Sequence, residues 1–575
     1  MRLLLVQARR TSPAARGPRV NQNVGCAVSP PMRRYCFSLL LLAAPSFAAE
    51  PWADPDPPAP PERHAIGDDY GVRARAEYRL QTTRITPLAL ASENDPNLST
   101  VDQRLRVDAT LDFRDRLRLT TSIDILDGVL WGDNGAFGTT PEPDSGGNIN
   151  SRNVNFARIC FKPKPGGNTV DSKDWVYGLC EANPFFVRRL YVDVATPVGL
   201  LRIGRQAINE GLALLGSDGD GRRNRFGVAG RGNNVDRIVF ATKPLEGLKP
   251  KSERNTSEKE GTFVYVGYDR IVGDSPMSFG DDVNQVFSAF RVSEPEVGPL
   301  KNAEVRGFAA YRFDRQFGSR IGSFGARAAA TLGDFTAGAE TALIVGKTRE
   351  LSEAFSVLTN DPPVSQNIAQ IGARGVVRWD QPALTLYVEG DYASGDSDPR
   401  SRTPLTQFRF AEDSNVGLLL FKQVFAYQTG RAAAAASELL KNLKAPIIPV
   451  EAIATRGSMM NAAVLFPQVD VRPADGWLLR GGVLFAWAPA TVNDPVASVQ
   501  RHDEFAVPGT LMNFAGGLGG RYYGTEIDGR VQYRWEEHAI VDVEGAVLFP
   551  GSALRDRNGD AANSFLLQAR TTFLF

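Results

Sequence analysis

A chain of 575 residues with 43 % hydrophobic and 23 % charged side chains has the average make-up of a soluble protein, and its 65 basic and 65 acidic groups cancel. That balance argues against nucleic acid as a partner. A membrane-spanning helix needs about 18 to 20 successive apolar residues, and the one apolar block, Phe37 to Ala49, is too short, so helical transport proteins are excluded.

That block reads as a secretory signal peptide. Arg33 and Arg34 form its basic start, Phe37 to Ala44 its apolar stretch, and Ser46-Phe47-Ala48 a small-x-small cleavage site. Residues 1–48 are therefore expected to be a leader, with Met32 as its start; an uncleaved anchor is the alternative. Cys36 precedes the apolar run, so no lipoprotein signal is present. Export leaves Cys160 and Cys180 as the pair in an oxidising compartment. A disulfide between them is expected, with two free or buried thiols as the alternative. Residues 49–69 form a Pro-rich periplasmic tether, too short for a plug domain.

From Tyr70 the pattern changes to strict alternation. Val72, Ala74, Ala76, Tyr78 and Leu80 interleave with Arg73, Arg75, Glu77 and Arg79. Leu105, Val107, Ala109, Leu111 and Phe113 interleave with Arg104, Arg106, Asp108, Thr110 and Asp112. A period of two over such lengths indicates strands, because a helix would scatter the charges around its circumference. Segments of about 9 to 13 residues suit a tilted bilayer crossing, whereas sandwich strands average about 5 or 6. Tight turns such as Arg114-Asp115 and Thr196 to Gly199 alternate with long excursions such as Asp127 to Phe185, as periplasmic turns and outer loops do. Two inner connections, Lys243–Glu260 and Ser293–Lys301, are longer than that rule prefers.

The fold expected over residues 70–575 is an all-β, transmembrane, antiparallel up-and-down barrel of about 18 strands. Its last strand, Asn563 to Phe575, carries Phe565, Leu567, Ala569, Thr571, Phe573 and Phe575 on one face. It resembles the C-terminal signal read by the barrel-assembly machinery. The segment 416–443, with Gly417 to Phe421 and the alanine run after Arg431, breaks the alternation and predicts a helical insert in an outer loop. It either folds into the pore as a constriction or packs on the rim.

Lumen-facing arginines concentrate in the first three strands. Arg73, Arg75, Arg79, Arg104, Arg106, Arg116 and Arg118 outnumber Glu77, Asp108, Asp112 and Asp124. Such an excess favours anions in a pore, since guanidinium grips carboxylates; an ion-pair ladder bracing the wall is the alternative. Glu526, Asp528 and Arg530 share a second polar face, on a later strand.

Leu201-Arg202-Ile203-Gly204-Arg205-Gln206, a long loop, then Val235-Asp236-Arg237-Ile238-Val239 resembles the central motif of the alginate-export-like, porin-like outer-membrane barrels. Gly524-Thr525-Glu526-Ile527-Asp528, Pro550-Gly551 and Phe575 resemble that family's ending. The resemblance also extends to an uncharacterised group of predicted barrels. It implies about 18 strands and an arginine-rich pore passing anionic polysaccharide, and adds Arg202 to the candidate pore residues.

An enzyme is a poor fit, because barrel hydrolases usually use a His base and only His64, His502 and His538 exist. Asp218-Gly-Asp220 and Asp556-Arg-Asn558-Gly-Asp560 begin like calcium loops but lack the closing Glu, so neither a metal nor a cofactor is expected. The expectation is an outer-membrane channel for small or polymeric anions such as acidic saccharides. The alternative is a plugged structural or adhesive barrel. Lipid, lipopolysaccharide, the assembly machinery and an anionic solute are the expected partners.

Overall fold

The computed structural model describes residues 63–67, 69–90, 98–114, 116–132, 160–163, 175–178, 183–208, 212–221, 224–230, 232–257, 259–273, 283–315, 317–359, 362–398, 402–442, 453–500 and 510–575. The leader, His502 and Cys180 lie outside them.

Strands run in the order β1 (His64–Ile66), β2 (Tyr70–Thr86), β3 (Leu98–Phe113), β4 (Leu117–Gly132), β5 (Cys160–Pro163), β6 (Trp175–Gly178), β7 (Asn183–Thr196), β8 (Gly199–Ala207), β9 (Asn234–Thr242) and β10 (Gly261–Gly273). They continue as β11 (Asn284–Val297), β12 (Leu300–Phe313), β13 (Arg320–Leu332), β14 (Phe335–Thr348), β15 (Gln366–Asp380), β16 (Leu384–Ala393), β17 (Ala462–Val471), β18 (Trp477–Trp487), β19 (Tyr522–Trp535), β20 (Ala539–Pro550) and β21 (Ser564–Leu574). Nineteen belong to one sheet and β5–β6 form a separate hairpin. The three-residue β1, which falls within the expected tether, pairs with β2 alone. Setting it aside leaves eighteen strands that close on themselves.

Each of those strands pairs antiparallel with its neighbours in the chain, and β2 meets β21 from Glu77↔Leu574 to Thr86↔Phe565. Phe575 extends that seam, its N–H donating to Ala76 O at 2.9 Å and its carbonyl accepting from Ala76 N at 3.1 Å. Closure removes the unpaired edges that a bilayer would not satisfy. The count agrees with the alternation in the sequence. Ser293–Lys301 is not a loop: β11 and β12 run on through Val297↔Leu300 to a two-residue turn, so Glu294, Glu296 and Lys301 are strand residues. Lys243–Glu260 is a true excursion carrying the short helix α1 (Pro244–Gly247), and it still returns antiparallel into β10.

Alternation sets the two faces. Ala74, Val305, Leu343, Leu386 and Val543 point outward and are exposed, while Arg106, Asp124, Glu340 and Asp470 point inward. Aromatic pairs trim the outer surface at both ends. Tyr70–Phe113 and Trp477–Tyr533 meet at 5.0 and 4.9 Å near the tight turns, and Trp487–Tyr522 at 5.6 Å near the long loops. Such girdles sit at headgroup depth, where an amphipathic ring is favoured.

The lumen is not polar throughout. Residues 402–442 and 453–461 fold inward, and a π-helical turn, Leu420–Phe425, leads into helix α3 (Ala426–Asn442) after α2 (Glu350–Thr359) and before α4 (Pro495–Gln500). Phe408, Leu419, Leu420, Phe421, Val424 and Phe425 bury against inward residues of the wall, including Val464, Phe466, Leu484, Tyr523 and Leu548. The described part of the predicted insert 416–443, residues 416–442, thus packs inside the cylinder and not on its rim. Its residues Phe421 and Phe425 stack edge-on against Tyr523 at 5.5 and 5.3 Å.

Candidate functional site

Two inward segments narrow the lumen. The first, the described residues of 208–233 between β8 and β9, is held by charged groups from most of the circumference. Arg106 grips Asp124 with Nε at 2.6 Å and Nη2 at 3.0 Å, and donates to Gly219 O at 3.1 Å and Gly230 O at 3.2 Å. Arg104 donates to Glu77 at 2.7 Å and to Gly230 O at 3.4 Å. Arg188 donates to Asp218 O at 2.6 Å and shares Asp220 with Arg189. From the opposite side the Leu212 N–H donates to Glu340, and Arg374 donates to Leu212 O at 3.0 Å. Gly232, at φ +71°, has backbone of Ser217 and Gly219 within 2.6 Å of where a Cβ would stand, so only glycine closes this segment's neck.

The second segment, 402–461, is tied to the first and to the wall. The Asp413 carboxylate accepts from Gly230 N at 2.8 Å and Gly232 N at 2.6 Å. The Glu526 carboxylate, fully buried, accepts from the N–H groups of Leu418, Leu419 and Leu420 at 2.7, 2.8 and 2.6 Å. These are donors that a helix leaves unsatisfied at its start, and an anion there also suits the helix dipole.

Among the described residues two cavities lie along β8 to β15, one above the other. The inner, about 210 Å³, is lined by Arg202, Arg237, Arg291, Arg306 and Arg327, one from each of β8, β9, β11, β12 and β13, and by a single acid, Glu340. Carboxylates on the same or the adjacent strand aim three of them. Asp193 binds Arg202 at 2.6 and 2.9 Å, Asp269 binds Arg237 at 2.7 and 2.8 Å, and Glu304 binds Arg306 at 2.7 Å. Bidentate pairing fixes the plane of a guanidinium as well as its place. The outer cavity, about 410 Å³, shares Phe308 and Ala310 with the inner one. Its lining includes Leu215 of the first segment and Phe410 of the second. Burial pushes Asp396 there above the usual carboxylate range, despite N–H donors from Asp398 and Thr406, and pushes Arg409 down to about 10.

Aromatic side chains are seated on glycines along this path. Phe308 pairs across strands with Gly325 and Phe287 with Gly267, and a Cβ on either glycine would meet the ring at 2.0 and 2.4 Å. Each ring therefore lies over its neighbour's bare backbone and stays against the wall.

The residues predicted from sequence divide by this geometry. Arg202 lines the inner cavity. Arg73 and Arg118 both bind Asp112, at 2.9 and 2.7 Å, and Arg75 binds Asp108 at 2.8 Å, which is the ion-pair ladder of the alternative reading. Arg79 is half-buried on the same face, and Arg116 is exposed beside the tight turn after β3. Arg104 and Arg106 are buried beneath the 208–233 segment, and Glu526 and Asp528 beneath the helical insert. Arg530 binds Asp542 at 2.7 Å and donates to Arg225 O of the first segment. Arg104, Arg106, Glu526 and Arg530 hold the inward segments. Arg291, Arg306 and Arg327 were missed, since each strand contributes only one to the cavity and no local motif marks them, and Arg237, although it lies within the quoted motif, was not singled out. His538 sits exposed in a turn beside Glu536, and His64 lies on β1. Asp220 pairs with arginines, and the Asp556 carboxylate accepts from Asn558 N and Asp560 N.

A closed eighteen-strand cylinder with an apolar, aromatic-trimmed exterior and a charged passage beside inward loops is an outer-membrane β-barrel channel of a Gram-negative bacterium. The chain belongs to the Alginate export family, which it matches over residues 180–568. It is similar in fold to Pseudomonas aeruginosa OccK9 (OpdG), at 10 % identity and TM-score 0.46, covering 88 % of this chain and 98 % of that one. It is similar also to Acinetobacter baumannii OccAB1, at 7 % identity and TM-score 0.46, covering 90 % and 99 %. A third similar structure is Pseudomonas aeruginosa OccK2 (OpdF) in complex with glucuronate, at 9 % identity and TM-score 0.43, covering 90 % and 99 %. No curated protein matches the chain.

Proposed function

We propose that the barrel passes anionic solutes by diffusion, without catalysis, through the passage lined by Arg202, Arg237, Arg291, Arg306 and Arg327. The observation that carries this reading is the five-to-one excess of arginine over acid on the inner cavity's lining. In a narrow, partly desolvated channel such an excess lowers the barrier for anions and raises it for cations. Asp193, Asp269 and Glu304 pair with Arg202, Arg237 and Arg306, which fixes those guanidinium planes and offsets part of the row's charge. The outward aliphatic surface fits bilayer lipid and lipopolysaccharide, and the C-terminal strand ending at Phe575 fits recognition by the barrel-assembly machinery.

A second reading, a plugged surface barrel, is favoured by the apolar core that fills part of the lumen. Planar-bilayer recording separates the two. The channel reading expects steady conductance and a reversal potential on the anion side in a salt gradient. Replacing Arg291, Arg306 and Arg327 together by Gln should move that potential toward cations. A folded, silent barrel supports the plug, and an unmoved potential in the triple variant removes the arginine row from the mechanism.

A further inference from the structure

On the lipid face of β13 and β14 no outward residue is charged from Leu332 up to Gly322 on one strand, or from Phe335 up to Val345 on the other. The next outward positions are Arg320 and Lys347, both exposed, and the register sets them opposite each other. Their neighbours Ser319 and Thr348 hydrogen-bond at 2.9 Å inside the wall, which confirms the parity. Twelve residues separate each cation from the tight turn below. At about 3.3 Å per residue and a tilt near 40°, that is roughly 30 Å of height, the full depth of the hydrocarbon. The pair therefore stands at the hydrocarbon's outer edge, on the side of the long loops. Like charges facing each other across a sheet, with Cβ atoms about 5 Å apart, repel and weaken the pairing. Among the described residues no carboxylate lies within ion-pair reach of either. Other basic groups at this end have their acids: Arg205 binds Asp236 at 2.9 and 3.2 Å, and Arg349 binds Glu353 at 3.3 Å. In register beside the pair stand Phe313 on β12, stacked on Tyr311 at 6.0 Å, and the exposed amide of Asn367 on β15.

We infer that Arg320 and Lys347 form a binding site for a phosphate group of the outer leaflet's lipopolysaccharide. Depth and charge together select this ligand. A phosphate set between the two cations turns their repulsion into charge-assisted hydrogen bonds, the guanidinium meeting two oxygens in one plane and the ammonium a third. The Asn367 amide supplies a further donor. A monoester phosphate carries nearly two negative charges, matching the pair, whereas the diester of a phospholipid carries one. At the edge of the hydrocarbon the anion is best delivered on a lipid, whose acyl chain then lies on the outward rings of Tyr311 and Phe324, both exposed below the cations. The site is on the outside of the wall, so it stands whether or not the barrel conducts. Each basic group at headgroup level contributes about fivefold to the affinity for an anionic lipid, and the two together roughly thirtyfold.

The test is a titration of the full barrel in detergent with bisphosphorylated lipid A, enzymatically dephosphorylated lipid A and phosphatidylglycerol, bound lipid being counted by native mass spectrometry. Wild-type barrel should bind the bisphosphorylated form at least about tenfold more tightly than the other two. The double variant Arg320→Gln/Lys347→Gln should lose roughly thirtyfold in that affinity and none for the dephosphorylated form. Arg84→Gln, which removes an outward arginine of β2 beside Leu567, should change neither. Should the double variant not fold, Lys347→Gln alone, expected to weaken binding about fivefold, decides in the same way. Equal affinity of wild type and variant, or of phosphorylated and dephosphorylated lipid A, overturns the inference. Phosphatidylglycerol binding as tightly as lipid A would make the pair a general anionic-lipid contact and overturns it as well.

Discussion

Arg225 is the point at which the 208–233 segment can be unfastened without touching the barrel's own ladder. It is buried, donating from Nε to Gln468 at 2.7 Å and from Nη2 to Asp470 at 2.7 Å, with its guanidinium carbon 4.1 Å from the centre of the Tyr387 ring. Its carbonyl accepts from Arg480 and from Arg530, the latter at 3.1 Å. Replacement by Met keeps most of the volume and removes the charge. The loss would approach about 3 to 5 kcal/mol if Asp470 were left alone in the interior. Asp470 keeps Arg480, however, at 2.8 and 3.0 Å, so the low end, about 3 kcal/mol, is the expected effect. That corresponds to about a hundredfold rise in the open population of the segment. Hydrogen exchange of barrels in lipid nanodiscs reads it directly. Amides held by this fold, such as Asn233 donating to Ser217 O at 2.8 Å and Gly230 donating to Asp413, should exchange faster, while those of β3 and β15 should not. Bilayer conductance should rise and become noisier. Unchanged exchange at Gly230 and Asn233, in a variant whose barrel amides are also unchanged, would show that Arg225 does not hold the segment.

Three further outcomes are expected. Val107→Arg, which places a charge on the lipid face of β3, should cost about 2 to 4 kcal/mol if that position is near mid-membrane, read as lost heat-modifiable mobility or lower assembly yield; Asp108→Asn on the lumen face should assemble normally, and equal yields would refute the facing. Gly325→Ala should drive the Phe308 ring off its seat into the passage and lower single-channel conductance, with little change in β12–β13 pairing; wild-type conductance would mean that the ring finds room elsewhere. Non-reducing peptide mapping should join Cys160 to Cys180, a cross-link whose loop of about 20 residues could contribute on the order of 3 kcal/mol, and two alkylatable thiols in protein from intact outer membrane would exclude it.

The strands were legible because one face of each meets lipid, which imposes a strict period of two on Tyr70–Leu80 and Gln103–Phe113. Legibility fell where the inner neighbour is not water. Along Trp477–Trp487 the inward Leu484 and Ala486 are as apolar as the outward Leu479 and Phe485, because they bury against the helical insert. Charged positions posed the opposite difficulty. The dense arginines of β2 to β4 drew attention because they are adjacent in sequence, yet adjacency is also what lets Asp108, Asp112 and Asp124 neutralise them. The row on the inner cavity is spread over more than a hundred residues, from Arg202 to Arg327, one inward position at a similar depth per strand. Strand parity combined with depth would have found it; composition within a window could not. Glu526 shows the same limit, since its three N–H donors come from residues more than a hundred positions away.

The apolar core inside the cylinder changes what shortening a loop does. In a water-filled barrel, deleting an inward segment simply enlarges the bore. Here, excising 402–461 would uncover Val464, Phe466, Leu484, Leu548 and Leu566 on the inner wall, a greasy stripe along one side of the new opening. Water leaves narrow apolar confinement readily, and ions follow the water. A trimmed barrel would thus gain width on that side while losing wetness, and its added cross-section would conduct far less than its geometry promises. The same stripe bears on assembly: near their loop ends the strands from β17 to β21 present apolar side chains to both faces until the insert docks, so folding of the insert and completion of this arc of the wall are coupled events.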